Sequence, residues 1–433
     1  MLKHPLESIS GIRGIYPDSL DIHYVFLTGC KFGRYLDGRE VAVGMDTRQS
    51  SVLLKKAAIS GLLYSGSSVI DLGITTTPEV FRYTKKHGIK GGIMITASHN
   101  PKEWNGIKFI VDARGPTEDK LQKIIETECT YSNAGELKKG DSSEYYSDIV
   151  DFIGKGSARD LVLALDAGGG SVVYNAPAMF NELGAKVILI NGSPGIFSRV
   201  IDPTQDSLQN LSNIVKKTKC NIGFAFDCDG DRLQVVDSEG DKLPPDFTLA
   251  AALQNVPPYS RVAISVDTSE AVMQIARERK LHVYISPVGE ANVVDTMLKN
   301  DCVLGGEGSS AGVIDPSFSF CRDGLLAAAH ILKNFNQKKL PAKELFAQHY
   351  TIRTKIQFDR NTAFMVIKNL KKKYPDAITV DGVKIVLRNG WCLIRPSRTE
   401  DVLRLSAESD SKEQAEMILD NIKHEIASIG VSS

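Results

Sequence analysis

Several features are scarce in this 433-residue chain, and each scarcity removes a class of protein. Charge bias is absent: 52 Lys+Arg stand against 52 Asp+Glu, so no global field favours nucleic acid or an acidic lipid surface. The seven cysteines (Cys30, Cys129, Cys220, Cys228, Cys302, Cys321, Cys392) are odd in number, scattered and never spaced Cys-x-x-Cys. That pattern argues against a disulfide framework or a zinc site and leads us to expect a reducing compartment. No apolar run approaches the roughly 18 residues of a membrane span, and Met1-Leu2-Lys3-His4-Pro5 has no signal-peptide core. A soluble cytoplasmic protein without nucleic-acid or membrane partners is expected. At roughly 100–150 residues per domain, the length implies about three or four domains.

What is present is a pattern that recurs at a spacing of about 100 residues, too long for a solenoid. Each copy opens with an apolar strand that runs into an aspartate: Val41-Ala42-Val43-Gly44-Met45-Asp46, Val162-Leu163-Ala164-Leu165-Asp166 and Val262-Ala263-Ile264-Ser265-Val266-Asp267. A helical spacing follows, through Leu54, Ala58 and Leu62, through Val173, Ala176 and Phe180, and through Val272, Ile275 and Ala276. Second strands are expected at 68–70, 186–190 and 282–285. Third apolar runs then end in polar loops: Ile93-Met94-Ile95 before Ser98, 222–226 before Asp227, and Cys302-Val303-Leu304 before Glu307. Strands alternating with helices predict three related α/β domains with mostly parallel or mixed sheets.

After about residue 354 the pattern changes. Strands at 384–387 and 391–394 flank an Asn389-Gly390 hairpin turn, and a third is expected at 402–405. A helix over 412–429 places Ala415, Ile418, Leu419, Ile422 and Ile426 on one face. Lys371-Lys372-Lys373 reads as a solvated helix end. The resulting division is 1–150, 151–242 and 243–353 as α/β domains, with 354–433 as a smaller α+β domain.

Four loops carry chemical potential. Thr96-Ala97-Ser98-His99-Asn100-Pro101 presents a hydroxyl, an imidazole and an amide after a buried strand, where α/β proteins hold ligands; an ordinary surface turn is the rival reading. Asp227-Cys228-Asp229-Gly230-Asp231-Arg232 sets three carboxylates at alternating positions, a donor set for Mg²⁺ with a phosphate oxygen completing it. An EF-hand is excluded, because Arg232 and Ser238 stand where that loop needs Gly and Glu; a solvated acidic turn stays open. Arg395-Pro396-Ser397-Arg398-Thr399 offers guanidinium forks and hydroxyls for a phosphate dianion, or is a basic surface turn. Gly305-Gly306-Glu307-Gly308-Ser309-Ser310 supplies a carboxylate and hydroxyls that suit sugar hydroxyls. Ser10-Gly11-Ile12-Arg13-Gly14, taken alone, reads as a turn with a solvated arginine.

In this order the loops resemble the α-D-phosphohexomutase family, and the likeness runs from Ser10 to Glu400. The resemblance implies three related α/β domains and a smaller fourth around a central active-site cleft. It also implies an intramolecular phosphotransferase that interconverts hexose 1-phosphate and hexose 6-phosphate, of glucose and mannose or of glucosamine. The route runs through a phosphoserine enzyme and a sugar 1,6-bisphosphate. By the same resemblance Ser98 is the phosphoserine, and Asp227, Asp229 and Asp231 hold one Mg²⁺ together with the Ser98 phosphate. Arg13 and Arg232 steady the phosphoserine, Lys108 assists proton transfer, and His99 belongs to the same catalytic group. Glu307 and Ser309 grip sugar hydroxyls, while Arg395, Ser397, Arg398 and Thr399 clamp the non-reacting phosphate. The hexose phosphate is the one partner implied, for a monomer or homodimer.

Two departures stand out. The sugar loop Gly306-Glu307-Gly308-Ser309-Ser310-Ala311 lacks the histidine common in the glucose/mannose group and is closer to archaeal-type members. Arg398 replaces the usual Gly or Asn, and Asp401 the usual Pro. Two other classes compete. A Mg²⁺-dependent sugar phosphatase with Asp227 as nucleophile leaves the Ser98 loop and Arg395 without roles. A non-catalytic sugar-phosphate-binding descendant explains the altered sugar loop but not Ser98, three aspartates and Lys108 together.

Overall fold

The computed structural model describes residues 4–397 and 401–431. The first sheet contains β1 (Leu6–Ser8), β2 (Gly11–Ile15), β3 (Val41–Met45), β4 (Val69–Ile74), β5 (Gly91–Ile95), β6 (Trp104–Val111) and β7 (Leu137–Lys139). The second holds β8 (Val162–Asp166), β9 (Lys186–Ile190), β10 (Ile222–Phe226) and β11 (Leu233–Val236). The third holds β12 (Arg261–Ser265), β13 (His282–Ser286), β14 (Leu304–Glu307) and β15 (Gly312–Ile314).

The strand orders are β1-β2-β6-β5-β3-β4-β7, β11-β10-β8-β9 and β13-β12-β14-β15. One unit therefore occurs three times: an opening strand (β3, β8, β12) lies between two parallel neighbours, the second and third strands of its repeat. The third strand then turns back into an antiparallel fourth. Three turn-backs result, at 96–103, 227–232 and 308–311, at the same topological point of each sheet. β3, β5 and β10 are buried throughout, as central parallel strands covered on both faces must be. The helix Ser51–Tyr64 buries Leu54, Ala58 and Leu62 at the predicted spacing.

The third run of the third repeat lies later than expected. β14 spans Leu304–Glu307, not 302–304, so Glu307 ends a strand instead of sitting beyond it. Gly305 and Gly306 give no strand signal in sequence, but close packing explains them. A Cβ at Gly305 would lie 2.4 Å from Met297 Sδ, and one at Gly306 2.5 Å from the Gly312 carbonyl oxygen.

The second and third repeats share one continuous core, joined through Glu144–Ile153, Asp246–Leu253 and Gly324–Asn336. All eight residues of Asp246–Leu253 are buried. The first repeat has its own core, and the fourth domain another. That last domain is an antiparallel sheet, ordered β16 (Tyr350–Gln357), β19 (Val402–Ser409), β18 (Gly390–Pro396), β17 (Val383–Leu387), with the helices Arg360–Lys373 and Lys412–Val431. Its hairpin closes one residue earlier than expected: Leu387 pairs with Gly390, leaving Arg388-Asn389 as the turn. A Cβ at Gly390 would meet the Glu408 carbonyl oxygen at 2.0 Å, so the glycine serves the sheet rather than the turn. The domain docks on the third repeat through Trp391 and Leu393 against Val266, with Lys384 Nζ donating to the Val266 carbonyl at 2.8 Å.

One expectation is overturned. Cys30, in the helix Ile22–Tyr35, forms a disulfide with Cys129, while the other five cysteines are buried thiols. The pair is 99 residues apart and meets only because that helix packs beside Glu118–Glu126, so spacing carried no sign of it. No described helix is long and apolar enough to cross a membrane.

Candidate active site

The first turn-back places Ser98 with φ at 51°, in the left-handed region that a serine rarely occupies. The Thr96 hydroxyl oxygen accepts from the Ser98 backbone N–H at 2.8 Å, and Ser98 Oγ donates to Asp227 Oδ2 at 3.0 Å. His99 Nδ1 lies 3.3 Å from the same hydroxyl. Arg13 sits on β2 opposite Gly106 of β6, not in a turn, and its Nη1 donates to Asn100 Oδ1 at 2.7 Å. The first sheet thus places Ser98, His99 and Arg13 around one point.

The second turn-back brings the three carboxylates to it. Ligand oxygens of Asp227, Asp229 and Asp231 lie within 4.8 Å of one another, and all three residues are buried. Gly230 adopts φ 72° there, and a Cβ would lie 2.9 Å from Val172 Cγ1. Lys108 on β6 reaches across from the first sheet: its Nζ donates to Asp229 Oδ2 at 2.7 Å and to Asp231 Oδ2 at 2.9 Å. Thr77 Oγ1 donates to Asp229 Oδ2 at 2.5 Å from the first turn of Thr77–His87. Arg232 donates to Asp202 Oδ2 at 2.9 Å, and its Nη2 lies 3.5 Å from His99 Nε2.

Charges here shape one another. Burial, then Asp231 and Asp229, pushes the Asp227 carboxyl well above the usual range. Burial opposes charge on Asp231 too, but Arg322, Lys108 and Arg232 hold it well below. Burial likewise opposes the Lys108 cation, and Asp229 and Asp231 more than restore it, so its pKa is raised. His99 is pushed well down by burial and by Arg232 and Arg13. Asp229 Oδ1 and Asp231 Oδ1 are buried with no hydrogen-bond partner among the described residues. An all-carboxylate set with two orphaned oxygens fits a hard divalent cation such as Mg²⁺.

The third turn-back contributes Glu307 and Ser309. Glu307 is buried and accepts from Gly289 N at 2.6 Å and Arg322 Nη1 at 3.2 Å; Ser309 Oγ donates to Asp267 at 2.7 Å. In the fourth domain, Arg395 Nη1 donates to Asp381 Oδ2 at 3.0 Å, and Asp381 also accepts from Val288 N at 3.1 Å. Ser397 is nearly buried, its N–H donating to the Val402 carbonyl. Arg398 and Thr399 lie outside the described residues. The structure therefore gathers Ser98, His99, Arg13, Lys108, Arg232 and the three aspartates, with Glu307 linked to them through Arg322. Arg395 pairs within the fourth domain.

Sequence reading missed Arg322, whose Nη2 donates to Asp231 Oδ2 at 2.9 Å while Nη1 reaches Glu307. It stands before a helix in Cys321-Arg322-Asp323-Gly324, where no repeat or motif marks it. Glu290, Thr77, Asp46 and Arg48 were missed as well; only Asp46 carried a signal, as the recurring aspartate after an opening strand.

Comparison with known proteins covers nearly the whole chain. Residues 7–134, 143–240 and 245–352 match phosphoglucomutase/phosphomannomutase alpha/beta/alpha domains I, II and III, and 354–425 match the C-terminal domain. A probable phosphoglucosamine mutase of Pyrococcus abyssi is 34% identical over 95% of each chain. A phosphoglucomutase/phosphomannomutase of Thermococcus kodakarensis is 33% identical over 95% of this chain and 96% of its own. The crystal structure of a phosphoglucomutase/phosphomannomutase family protein from Burkholderia thailandensis superposes with a TM-score of 0.85 at 26% identity, over 97% of this chain and 96% of its own.

Proposed function

The chain belongs to the phosphoglucomutase/phosphomannomutase family, and from that premise we propose that it interconverts hexose 1-phosphates and hexose 6-phosphates through a phosphoserine at Ser98. One observation carries the reading: a serine hydroxyl 3.0 Å from Asp227, in the left-handed conformation, within reach of three carboxylates and the cations that balance them. The relatives' names span glucosamine, glucose and mannose phosphates, so the substrate class is a hexose phosphate.

Phosphoryl transfer is catalysed mostly by positioning and charge neutralisation. In the forward step the bond from phosphorus to Ser98 Oγ breaks and one to a sugar hydroxyl oxygen forms, and that hydroxyl's proton ends on the departing Ser98 Oγ. The product is a sugar 1,6-bisphosphate. It turns over in the site and returns its other phosphoryl group to Ser98 Oγ. Arg13 and Arg232 face the Ser98 loop and steady the three phosphoryl oxygens. Lys108, held between Asp229 and Asp231, supplies positive charge and assists proton transfer through its N–H donors. Asp227, Asp229 and Asp231 would hold Mg²⁺ together with the Ser98 phosphate, and the cation would supply further charge against the transferring group. Glu307 and Ser309 take sugar hydroxyls, and Arg395, Ser397, Arg398 and Thr399 take the distal phosphate. The partners in this reading are small molecules of the cytoplasm, with neither nucleic acid nor membrane involved, and the chain acts as a monomer or homodimer.

Intact mass tests the proposal. A fraction of wild-type molecules should carry one phosphate, mapping to Ser98. Ser98→Ala should lose it and lower turnover by about three orders of magnitude or more, with melting temperature and sugar-phosphate binding retained. Near-normal turnover in a preparation free of wild type would refute the reading, and a phosphate on Asp227 instead would favour the phosphatase.

A further inference from the structure

The recurring aspartate that closes each opening strand has no part in the chemistry above, yet the structure gives it one task in all three repeats. Asp46, completely buried, accepts through Oδ1 from Arg48 N at 3.0 Å and Ser51 Oγ at 2.6 Å. Through Oδ2 it accepts from Arg48 Nε at 3.0 Å, Thr96 Oγ1 at 2.7 Å and Cys228 Sγ at 3.4 Å. Thr96 is the residue whose hydroxyl oxygen accepts from Ser98 N. Cys228 stands between Asp227 and Asp229 in the chain. One carboxylate therefore touches both the serine loop and the aspartate loop.

Arg48 completes the arrangement. It is 1% exposed and ranks among the largest fully buried side chains of the described residues. Its Nη2 donates to the carbonyls of Ser98 at 2.6 Å and Asn100 at 2.7 Å, and its Nη1 to those of Pro101 at 2.5 Å and Trp104 at 3.0 Å. With Nε on Asp46, all five guanidinium N–H donors are spent, three on the backbone of the loop that carries Ser98 and one on Trp104, the first residue of β6. A lysine, with three donors on one nitrogen, cannot reproduce this planar fork.

The second repeat repeats the device. Asp166 ends β8 and accepts from Arg199 Nε at 3.0 Å, and Arg199 Nη2 donates at 2.7 Å to the Phe226 carbonyl, one residue before Asp227. In the third, Asp267 accepts from Ser309 Oγ of the sugar loop.

We infer that Asp46 and Arg48 are positioning residues, which hold Ser98 in its left-handed conformation and lock its loop in register with the Asp227–Asp231 loop. The inference rests on the mutase reading for its kinetic consequence and on loop geometry alone for its structural one. Misplacing a reacting atom by about 1 Å typically costs about 100-fold in rate without a matching loss of ground-state binding.

The test uses the full chain with Arg48→Lys and with Thr96→Val, which removes only the link from Asp46 to Ser98 N. Steady-state kinetics on whichever of glucose, mannose and glucosamine 1-phosphate the wild type turns over fastest, and trypsin cleavage after the exposed Lys102 of the same loop, are read below the melting temperature. Arg48→Lys should lower kcat about 100-fold with KM within about threefold, and should speed cleavage after Lys102 at least about tenfold. Thr96→Val should lower kcat in the same direction and keeps the test alive if Arg48→Lys does not fold. A kcat within about threefold of wild type, or a loss carried mainly by KM, would overturn the inference. Wild type without mutase turnover on glucose, mannose and glucosamine phosphates alike would defeat the functional reading instead, and the cleavage arm alone would then decide: unchanged cleavage in both variants overturns the positioning role.

Discussion

Arg322→Met removes one charge from the centre of the site while keeping the length of the side chain. The guanidinium holds Asp231 at 2.9 Å, Glu307 at 3.2 Å and Glu290 at 3.3 Å, and its side chain is 11% exposed. Burial opposes its charge, yet Asp231, Glu290 and Glu307 raise its pKa well above the ordinary value. Each contact is worth about 4 kcal/mol of gross attraction at an effective dielectric near 20, but most of that offsets desolvation. Breaking a buried pair by deleting one partner costs about 3–5 kcal/mol, since the other charge is left stranded. Asp231 keeps Lys108 and Glu307 keeps Gly289 N, so we expect about 3 kcal/mol, the lower end of that range. Burial already raises the Glu290 carboxyl against the pull of Arg322, and without that cation it rises further. The deficit should therefore be full at pH 8 and shrink on acidification as Glu290 takes up a proton. Urea unfolding at pH 8 and pH 5 measures this, and a cycle with Glu290→Gln should be non-additive by about 1–3 kcal/mol. Turnover should fall too, because Glu307 loses one of its two holds. Destabilisation within about 0.5 kcal/mol at both pH values, with an additive cycle, would refute the reasoning.

Three further outcomes are expected. Exhaustive chelation should abolish turnover and Mg²⁺ restore it, and Mg²⁺ should raise the melting temperature of wild type but not of Asp229→Asn; full activity after chelation would remove the metal. Asp323, raised to about 7 by burial, is a buried helix cap that accepts from Leu326 N and Tyr145 OH. Between about pH 4 and 7 the folded state keeps a proton that the unfolded chain has released, so stability falls as pH rises through that window. Asp323→Asn keeps both hydrogen bonds and should flatten the fall by a few kcal/mol; an equally steep profile would refute the assignment. Cys129→Ser opens a bridge spanning 99 residues and should cost about 2–4 kcal/mol in urea unfolding, with dithiothreitol costing wild type the same. No effect of dithiothreitol would mean the bridge is not formed in solution.

Period and punctuation made the repeats legible. β9 and β10 fall at 186–190 and 222–226 as expected, and β5, at 91–95, contains the expected run 93–95, because parallel strands such as β5 and β10 are short apolar runs with sharp ends. Ser98 and the three aspartates were legible because alternating carboxylates and a polar loop after a strand are local patterns. Cys30–Cys129 was not, nor was the Leu-Gly-Gly-Glu strand β14, whose glycines answer to Met297 and Gly312 rather than to their own propensity. The core shared by the second and third repeats was equally hidden, since a periodic helix shows that it has an apolar face but not which neighbour covers it. Arg322 and Arg48 were beyond reach for the same reason. An arginine's role depends on which acceptors lie within about 3 Å, and for Arg48 those include carbonyls 50 to 56 residues away, set beside it only when β3 and β5 pair.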